Sequence, residues 1–371
     1  MVVDAGDWSG AQPYEDAKGP FFMDAMTLLN YDAVTIGERE FGYGYKLFLQ
    51  QAAKRNKLPI VQANLRDKAS GKLLFKPYII KKKQGVNVAI VGLISRTIPL
   101  GVAQDSTIVD DPLMTAQKII PEVRKKAQVV VLLAHMGRVD AEDLASQVPG
   151  IDVLVVGHHP GLVLTSRKLS NTVSVASGEQ GQNIGETFVD CEAGKCTSRE
   201  GKVTILMPEV GERADIAKLS KDIEDAVNDK NRKLNQTQFV TDQNRGKVSP
   251  GSAHFLGQDA CVSCHQPQYD QWRTTAHSKA FDTLVKQSKD ATPECVQCHV
   301  TGWAKAGGFV SSATSGGMTN VQCEVCHGMG TQHDMFSAKP AAPAESLCVS
   351  CHNPTNDPSW NYSAKLAKVV H

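Results

Sequence analysis

The last third of the chain contains four copies of one five-residue pattern, Cys-x-x-Cys-His. Two thiols with this spacing can add across the two vinyl groups of one haem, and the adjacent histidine can ligate its iron. Zinc sites and disulfide pairs do not require a histidine directly after every second cysteine. The pattern therefore predicts four covalently attached haems c, and with them an electron-carrying function. The four copies are Cys261, Cys264 and His265; Cys295, Cys298 and His299; Cys323, Cys326 and His327; and Cys348, Cys351 and His352.

Four further histidines of this region stand outside the motifs, and each is a candidate sixth ligand of an iron. Their number equals the number of irons, whereas the rival ligand methionine occurs only three times in the region. A second histidine lowers the potential of a haem relative to methionine and closes the iron to small substrates. These histidines are His254, His277, His333 and His371.

The sequence around the motifs resembles the family of tetrahaem cytochromes that accept electrons from hydroxylamine oxidoreductase. The resemblance covers about residues 255–371 and includes Gln271–Ala280, His299–Gly302 and His327–Gly330. It implies specific pairs of axial ligands for three of the haems. In these pairs His333 caps the haem of His265, His277 caps the haem of His327, and His371 caps the haem of His352.

The remaining haem, held by His299, leaves the function open. In the related family this haem has no sixth ligand from the protein, but His254 is an extra candidate here, seven residues before Cys261. If His254 binds that iron, the module is an electron relay. If the iron stays five-coordinate, it can reduce a small nitrogen or oxyanion substrate. A third hypothesis is a haem wire, in which His254 or His371 ligates the iron of a neighbouring subunit.

A second set of motifs lies in residues 1–208, at Gly6–Asp7, Gly37–Gly44, Ala134–Gly137 and Gly157–Pro160. Their order resembles the 5′-nucleotidase branch of the calcineurin-like metallophosphoesterases, as does the stretch Ala176–Asp190. In those enzymes carboxylates and histidines at strand ends hold two metal ions, which activate water and neutralise the phosphate. The resemblance implies an α/β sandwich with a metal site at the ends of its strands.

The chain departs from that family pattern at several metal ligands. No Asp-x-His motif precedes Asp7, Glu38 stands in the place of the ligating asparagine, Arg39 in that of a histidine, and Pro160 in that of the last histidine. One metal site would thereby lose nearly all its ligands, and we expect phosphoesterase activity to be lost. Either the domain is an inherited scaffold without metal, or it keeps one divalent ion. That ion would be held by Asp7, Glu38, His135 and His158.

Short apolar runs alternate with amphipathic stretches in the same region, which predicts a sheet buried on both faces. The predicted strands are Asn87–Leu93, Gln128–Leu133 and Asp152–Val156, and the predicted helices are Tyr45–Ala53, Met114–Lys126 and Ala141–Val148. Thr172–Ala176 and Glu186–Asp190 suggest a second sheet. Cys191 and Cys196 flank a tight turn at the end of a strand, which predicts a disulfide.

Composition and spacing together predict three segments. Residues 1–208 form the metallophosphoesterase-like sandwich, residues 209–252 a linker helix and a polar connector, and residues 253–371 a mostly helical, loop-rich tetrahaem module. The third segment has few apolar runs, so haem must supply much of its apolar mass.

Charge and hydropathy restrict the partners and the location. The chain has 40 basic and 39 acidic residues, which argues against a nucleic-acid partner, and no apolar run predicts a transmembrane segment. Redox proteins are the expected partners, and self-assembly into an oligomer or filament is a further hypothesis. Haem attachment takes place outside the cytoplasm, so we expect a periplasmic or extracellular protein. Because Met1 is not followed by a signal peptide, we also expect residues upstream of it.

Overall fold

The chain folds into two compact units, Met1–Ile223 and Glu224–His371. The division falls inside a long helix, where sequence analysis expects a separate linker. The computed structural model describes residues 1–9, 18–42, 44–159, 161–162, 164–179, 181–192, 195–241, 246–332, 343–354 and 356–371.

The first unit is built on a six-stranded sheet with the order β4-β5-β7-β8-β10-β9. Its four inner strands are parallel, and the edge strands β4 and β9 are antiparallel to their neighbours. Inner strands β5, β7 and β8 are mostly apolar because both faces of the sheet are covered, whereas β10 alternates polar and apolar residues. The strands of the described chain are β1 (Val3–Asp4), β2 (Ala33–Val34), β3 (Leu65–Asp67), β4 (Tyr78–Lys83), β5 (Val86–Ile94), β6 (Thr107–Val109), β7 (Val129–His135), β8 (Val153–Val156), β9 (Arg167–Leu169), β10 (Thr172–Val175), β11 (Asn183–Glu192) and β12 (Lys195–Ile205).

Helices α1 (Lys18–Leu28), α2 (Tyr45–Lys54), α3 (Pro112–Arg124) and α4 (Arg138–Gln147) belong to the first unit. The start of α3 is fixed by Asp111, whose carboxylate accepts the N–H of Met114 at 2.9 Å. The apolar sides of α3 and α4 pack against the sheet, in one buried cluster with residues of β5, β7 and β8. The predicted strands and helices are therefore present, with ends shifted by a few residues.

The expectation of a second sheet is half wrong. β10, predicted to belong to it, joins the main sheet as a parallel neighbour of β8. Only β11 lies outside, paired with β12 in an antiparallel ribbon. A strand that can be buried on both faces gains more stabilisation from burial in the main sheet than in an exposed ribbon. In the ribbon Cys191 lies opposite Cys196, and the two sulfurs are bonded at 2.07 Å.

The second unit consists of short helices joined by turns. Its described helices are the end of α5 (Ala214–Thr241), which begins in the first unit, and α6 (Asp259–Trp272), α7 (Ala280–Lys286), α8 (Pro293–His299), α9 (Cys323–His327), α10 (Glu345–Cys348) and α11 (Tyr362–Leu366). Among the residues that the structure describes, none of the helices is long and apolar enough to cross a membrane.

Candidate haem and metal sites

Each Cys-x-x-Cys-His motif lies on a helical turn. The first motif is in α6, the second ends α8, and the third makes up α9. The fourth starts at the end of α10, where the N–H of His352 still bonds to the carbonyl of Cys348 at 2.9 Å. Residues three and four apart share one face of a helix, so the two thiols and the imidazole of the second, third and fourth motifs point to the same side. This is the arrangement that attachment of one haem requires. In the first motif the two cysteines share a face, but His265 lies at a kink of α6, with φ −119° and ψ 39°.

The motifs are also close to each other. The thiol of Cys261 is hydrogen-bonded to the thiol of Cys323, and the thiol of Cys298 is hydrogen-bonded to the thiol of Cys351. Burial, together with the neighbouring thiol, raises the pKa of Cys261 and of Cys298 to about 11. The first motif therefore contacts the third, and the second contacts the fourth.

The motif histidines His299 and His352 have the tautomer that an iron ligand needs. Nδ1 of His299 lies 2.7 Å from the carbonyl oxygen of Ala280, and Nδ1 of His352 lies 3.0 Å from Oδ2 of Asp357. Both oxygens can only accept, so each Nδ1 carries the proton and Nε2 keeps its lone pair. The residues present thus fit haem ligation by their own chemistry.

Two of the candidate sixth ligands lie beside motif histidines. The rings of His277 and His352 have their centroids 6.1 Å apart, and those of His371 and His327 are 5.6 Å apart. Imidazoles on opposite sides of one metal ion have centroids about 6 Å apart, because each metal–nitrogen bond is about 2 Å long. These combinations are the reverse of those that the resemblance implied. Near the end of the chain, the carbonyl of Val370 accepts a hydrogen bond from the side chain of Gln271 in α6 at 3.4 Å.

The third candidate, His254, is held by hydrogen bonds to Thr331 and Ser252. The backbone N–H of His254 bonds to Oγ1 of Thr331 at 2.7 Å, and its Nδ1 lies 2.8 Å from the carbonyl of Ser252. The hydrogen bonds of His254 thus lead to the segment after the third motif and not to His299 in the second. His333 lies outside the described residues.

Glu324, between the two cysteines of the third motif, was not recognised in the sequence. Only 4 % of this residue is exposed. Its carboxylate accepts N–H groups from Leu256 at 3.0 Å, Gly257 at 2.7 Å and Gly330 at 2.5 Å. A buried carboxylate with three donors is strongly held, so Glu324 fastens the segment after His254 to the third motif. The one signal in the sequence was an acidic residue inside a haem motif.

In the first unit, the four ligands predicted for a divalent ion come together. One ligand atom of each of Asp7, Glu38, His135 and His158 lies within 4.8 Å of the others. Asp7 and Glu38 lie on turns after β1 and β2, and His135 and His158 lie at or just after the ends of β7 and β8. Nε2 of His135 is 2.9 Å from Oε2 of Glu38 and 3.6 Å from Oδ1 of Asp7.

The surroundings of this cluster fit a cation. Nδ1 of His158 is buried without a hydrogen-bond partner and lies 3.5 Å from Oε1 of Glu38. Burial lowers the pKa of His158, and a neutral imidazole is the form that binds metals. Gly37 leaves the space open, since a Cβ there would lie 2.3 Å from Oδ1 of Asp7 and 2.4 Å from His135.

Two carboxylates that sequence analysis missed lie next to the cluster, the half-buried Asp4 and the buried Glu40. Burial raises the pKa of Asp4 to about 6 and, with the charge of Asp7, that of Glu40 to about 7. Glu40 is fully buried and accepts the N–H groups of Asp7, Ser9 and Gly37. A buried site with this many acidic groups is favourable for a cation. Asp4 lies just before the motif Gly6–Asp7 and Glu40 lies within the motif Gly37–Gly44, but their spacing gives no sign of their surroundings in the fold.

Arg39 supports the expected loss of catalysis. Its backbone N–H bonds to Oδ1 of Asp7 at 3.1 Å, and its Nε lies 3.6 Å from Oδ2 of the same carboxylate. A guanidinium cannot give up its proton at neutral pH, so Arg39 cannot act as a general acid. Pro160, the other departure, lies outside the described residues.

Comparison with known proteins finds relatives of both parts of the chain. Residues 260–328 match the family model described as cytochrome c554 and c-prime, which includes the first three haem motifs. The N-terminal part is 33 % identical over 174 residues to a 2′,3′-cyclic-nucleotide 2′-phosphodiesterase/3′-nucleotidase of Haemophilus influenzae, covering 41 % of this chain and 26 % of the relative. It is 30 % identical over 177 residues to a 5′-nucleotidase of Vibrio cholerae, covering 43 % of this chain and 32 % of the relative.

Solved structures show the same fold for the first unit. A 5′-nucleotidase precursor from Thermus thermophilus superposes with a TM-score of 0.52 and 24 % identity, covering 61 % of this chain and 49 % of that one. The match to the curated relatives spans only about a quarter to a third of their length. Both resemblances noted in the sequence are confirmed: a 5′-nucleotidase-like α/β fold precedes a helical, cytochrome-like region.

We expect the haem-loaded chain to bind one Mn²⁺ ion in the first unit. Replacing His158 with alanine should weaken binding at least tenfold, because a neutral ligand of a buried site is lost. The free Mn²⁺ signal in EPR measures the bound fraction during a titration. The control is His159→Ala, since His159 is the next residue but has a largely exposed side chain that contacts Glu179. Equal affinity in the two variants would contradict the site.

Proposed function

We propose that the chain is a multihaem c-type cytochrome that carries electrons through four covalently bound haems. The observation that carries this proposal is that each motif places two cysteines on a helical turn, followed directly by a histidine. The contacts between motifs add to it, because cysteines of the first and third motifs touch, as do those of the second and fourth. Haems attached at such positions would lie close together, and electrons could pass among them.

In this proposal the protein holds each haem with two thioether bonds and one or two histidines, and the bound haem supplies the one-electron chemistry. The motif histidines are the proximal ligands. The ring distances favour His277 as the partner of His352, and His371 as the partner of His327. His333 and His254 are then left for the haems of His265 and His299. Two histidines on an iron leave no open position for a substrate.

We propose a non-catalytic role for the first unit, which retains ligands for at most one of the two metal ions of its relatives' fold. Its role in this proposal is one of three: docking a redox partner, orienting the haem module, or holding it in an assembly of several subunits. Haem attachment and the disulfide both fit the periplasm or the outside of the cell. If the unit holds the module in an assembly, we propose a filament in which a histidine of one subunit ligates a haem iron of the next.

A second candidate function is reduction of a small nitrogen or oxyanion substrate at the haem of His299. The hydrogen bonds of His254 favour it, because they tie this histidine to Ser252 and Thr331. If His254 stays there, the haem of His299 keeps an open position. Electrons from the other three haems would then serve the reaction at this one.

We expect four haems per chain, attached at the four motifs. Mass spectrometry of the purified protein should show the added mass of four haems, and peptide mapping should place one on each motif. Replacing both cysteines of a single motif with serine should remove one haem, since both thioether bonds are lost. Three or fewer haems in native protein would contradict the proposal.

Phosphoesterase activity of the first unit should be negligible. We expect no efficient hydrolysis of nucleoside monophosphates or cyclic nucleotides with added Mn²⁺ or Zn²⁺, because the second metal lacks its ligands and Arg39 cannot donate a proton. Release of inorganic phosphate and of nucleoside measures the activity, with an active 5′-nucleotidase assayed in parallel. Turnover comparable to that enzyme would show that the scaffold role is wrong.

His254 decides between relay and reductase. As sixth ligand of the haem of His299, it would make all four haems low-spin, and His254→Ala should create one high-spin haem that binds cyanide. EPR spectra of the oxidised proteins measure this, and His159→Ala serves as a histidine control outside the haem module. If the native protein already has a high-spin haem and His254→Ala changes nothing, His254 is not a ligand and the reductase is favoured.

A further inference from the structure

The fourth motif has a feature that attachment alone does not require. Nδ1 of its histidine, His352, donates to a carboxylate, that of Asp357, at 3.0 Å. Asp357 is only five residues further on, in the turn that follows the motif. A histidine that ligates a metal becomes a stronger electron donor when its other ring nitrogen donates to a carboxylate.

The pair is held in place from several sides. The indole of Trp360 stacks on the imidazole of His352, with centroids 4.7 Å apart and an angle of 22° between the rings. Nε1 of Trp360 in turn donates to Oε1 of Glu345 at 3.0 Å. Nζ of Lys365 lies 3.1 Å from Oδ2 of Asp357. The imidazole is thus locked in the orientation that aims Nδ1 at the carboxylate.

The second motif provides an internal comparison. Nδ1 of His299 donates to the carbonyl of Ala280 at 2.7 Å, and a carbonyl carries no net charge. An ionised acceptor forms the stronger hydrogen bond and draws the proton further from the ring. The two proximal histidines therefore differ in the charge of their hydrogen-bond acceptor, although their motifs are the same.

We propose that Asp357 is a positioning residue that lowers the reduction potential of the haem attached at Cys348 and Cys351. This inference rests on the proposed function, since it requires a haem there. The carboxylate increases electron donation from His352 and places a negative charge near the iron, and both effects favour the ferric state, which has one more positive charge. Lys365 limits the effect because its ammonium neutralises part of that charge. The haem of His352 accordingly has a lower potential than the haem of His299.

The test uses the haem-loaded full chain and two substitutions of opposite sign. In Asp357→Asn a neutral amide oxygen replaces the carboxylate, and one of the four haems should become at least tenfold easier to reduce, a shift of about 59 mV for one electron. In Lys365→Gln the counter-charge is lost, and the same haem should become harder to reduce. The matched control is Asp282→Asn, which removes an exposed carboxylate of the same unit. In this control variant the equilibrium constant for reduction of each of the four haems should change less than threefold.

Spectroelectrochemical titration gives the four potentials, and EPR adds a readout that a merely structural role would not change. The low-spin signal of one ferric haem should shift its largest g value in Asp357→Asn, because His352 is then a weaker donor. If peptide mapping finds haem on Cys348 and Cys351 but neither potential nor g value changes, the inference is wrong. If that peptide carries no haem in the native protein, the proposed function fails instead.

Discussion

The second unit has too few apolar side chains to form a large hydrophobic core, and the rest of its structure depends on this constraint. Its one described core cluster consists of five buried residues, Phe281, Leu284, Val296, Val300 and Phe309. A unit of this size needs far more buried apolar surface to offset the entropy of folding. Four haems would bring that surface as large aromatic plates, and covalent bonds would hold them there. The short helices then serve mainly to aim thiols and imidazoles, while polar contacts such as those of Glu324 hold the turns between them.

The pattern of residue types predicted most of this architecture but not how its parts meet. Strands β5, β7 and β8 were found because an apolar run buried on both faces has few other structures to adopt. β10 was assigned to the wrong sheet, since its four residues, Thr172–Val175, carry no information on the neighbouring strand. The same limit applies to His277 and His371. Their availability as ligands follows from the sequence, but the iron that each can reach depends on where the chain end and α6 lie.

The candidate metal site illustrates the difference between ligands and environment. Asp7, Glu38, His135 and His158 were recognisable because their motifs have a known order along the chain. Asp4 and Glu40 were not recognised, although both lie next to the cluster and Glu40 is fully buried. Burial of a carboxylate results from packing of elements distant in sequence, and its effect on pKa appears only in three dimensions. Sequence identifies a residue's chemistry more readily than its electrostatic surroundings.

The disulfide in the β11–β12 ribbon restricts the redox conditions under which the protein can mature. Cys191 and Cys196 are oxidised, whereas the proposed haem attachment would require the eight motif cysteines to stay reduced until each thiol has added to a vinyl group. All ten thiols are present in one newly made chain and can exchange through mixed disulfides. A short loop closes at little entropic cost, so Cys191 and Cys196 find each other readily. The two thiols of each motif are even closer in sequence, so the proposed haem attachment would need a reductant in the same compartment that oxidises the ribbon.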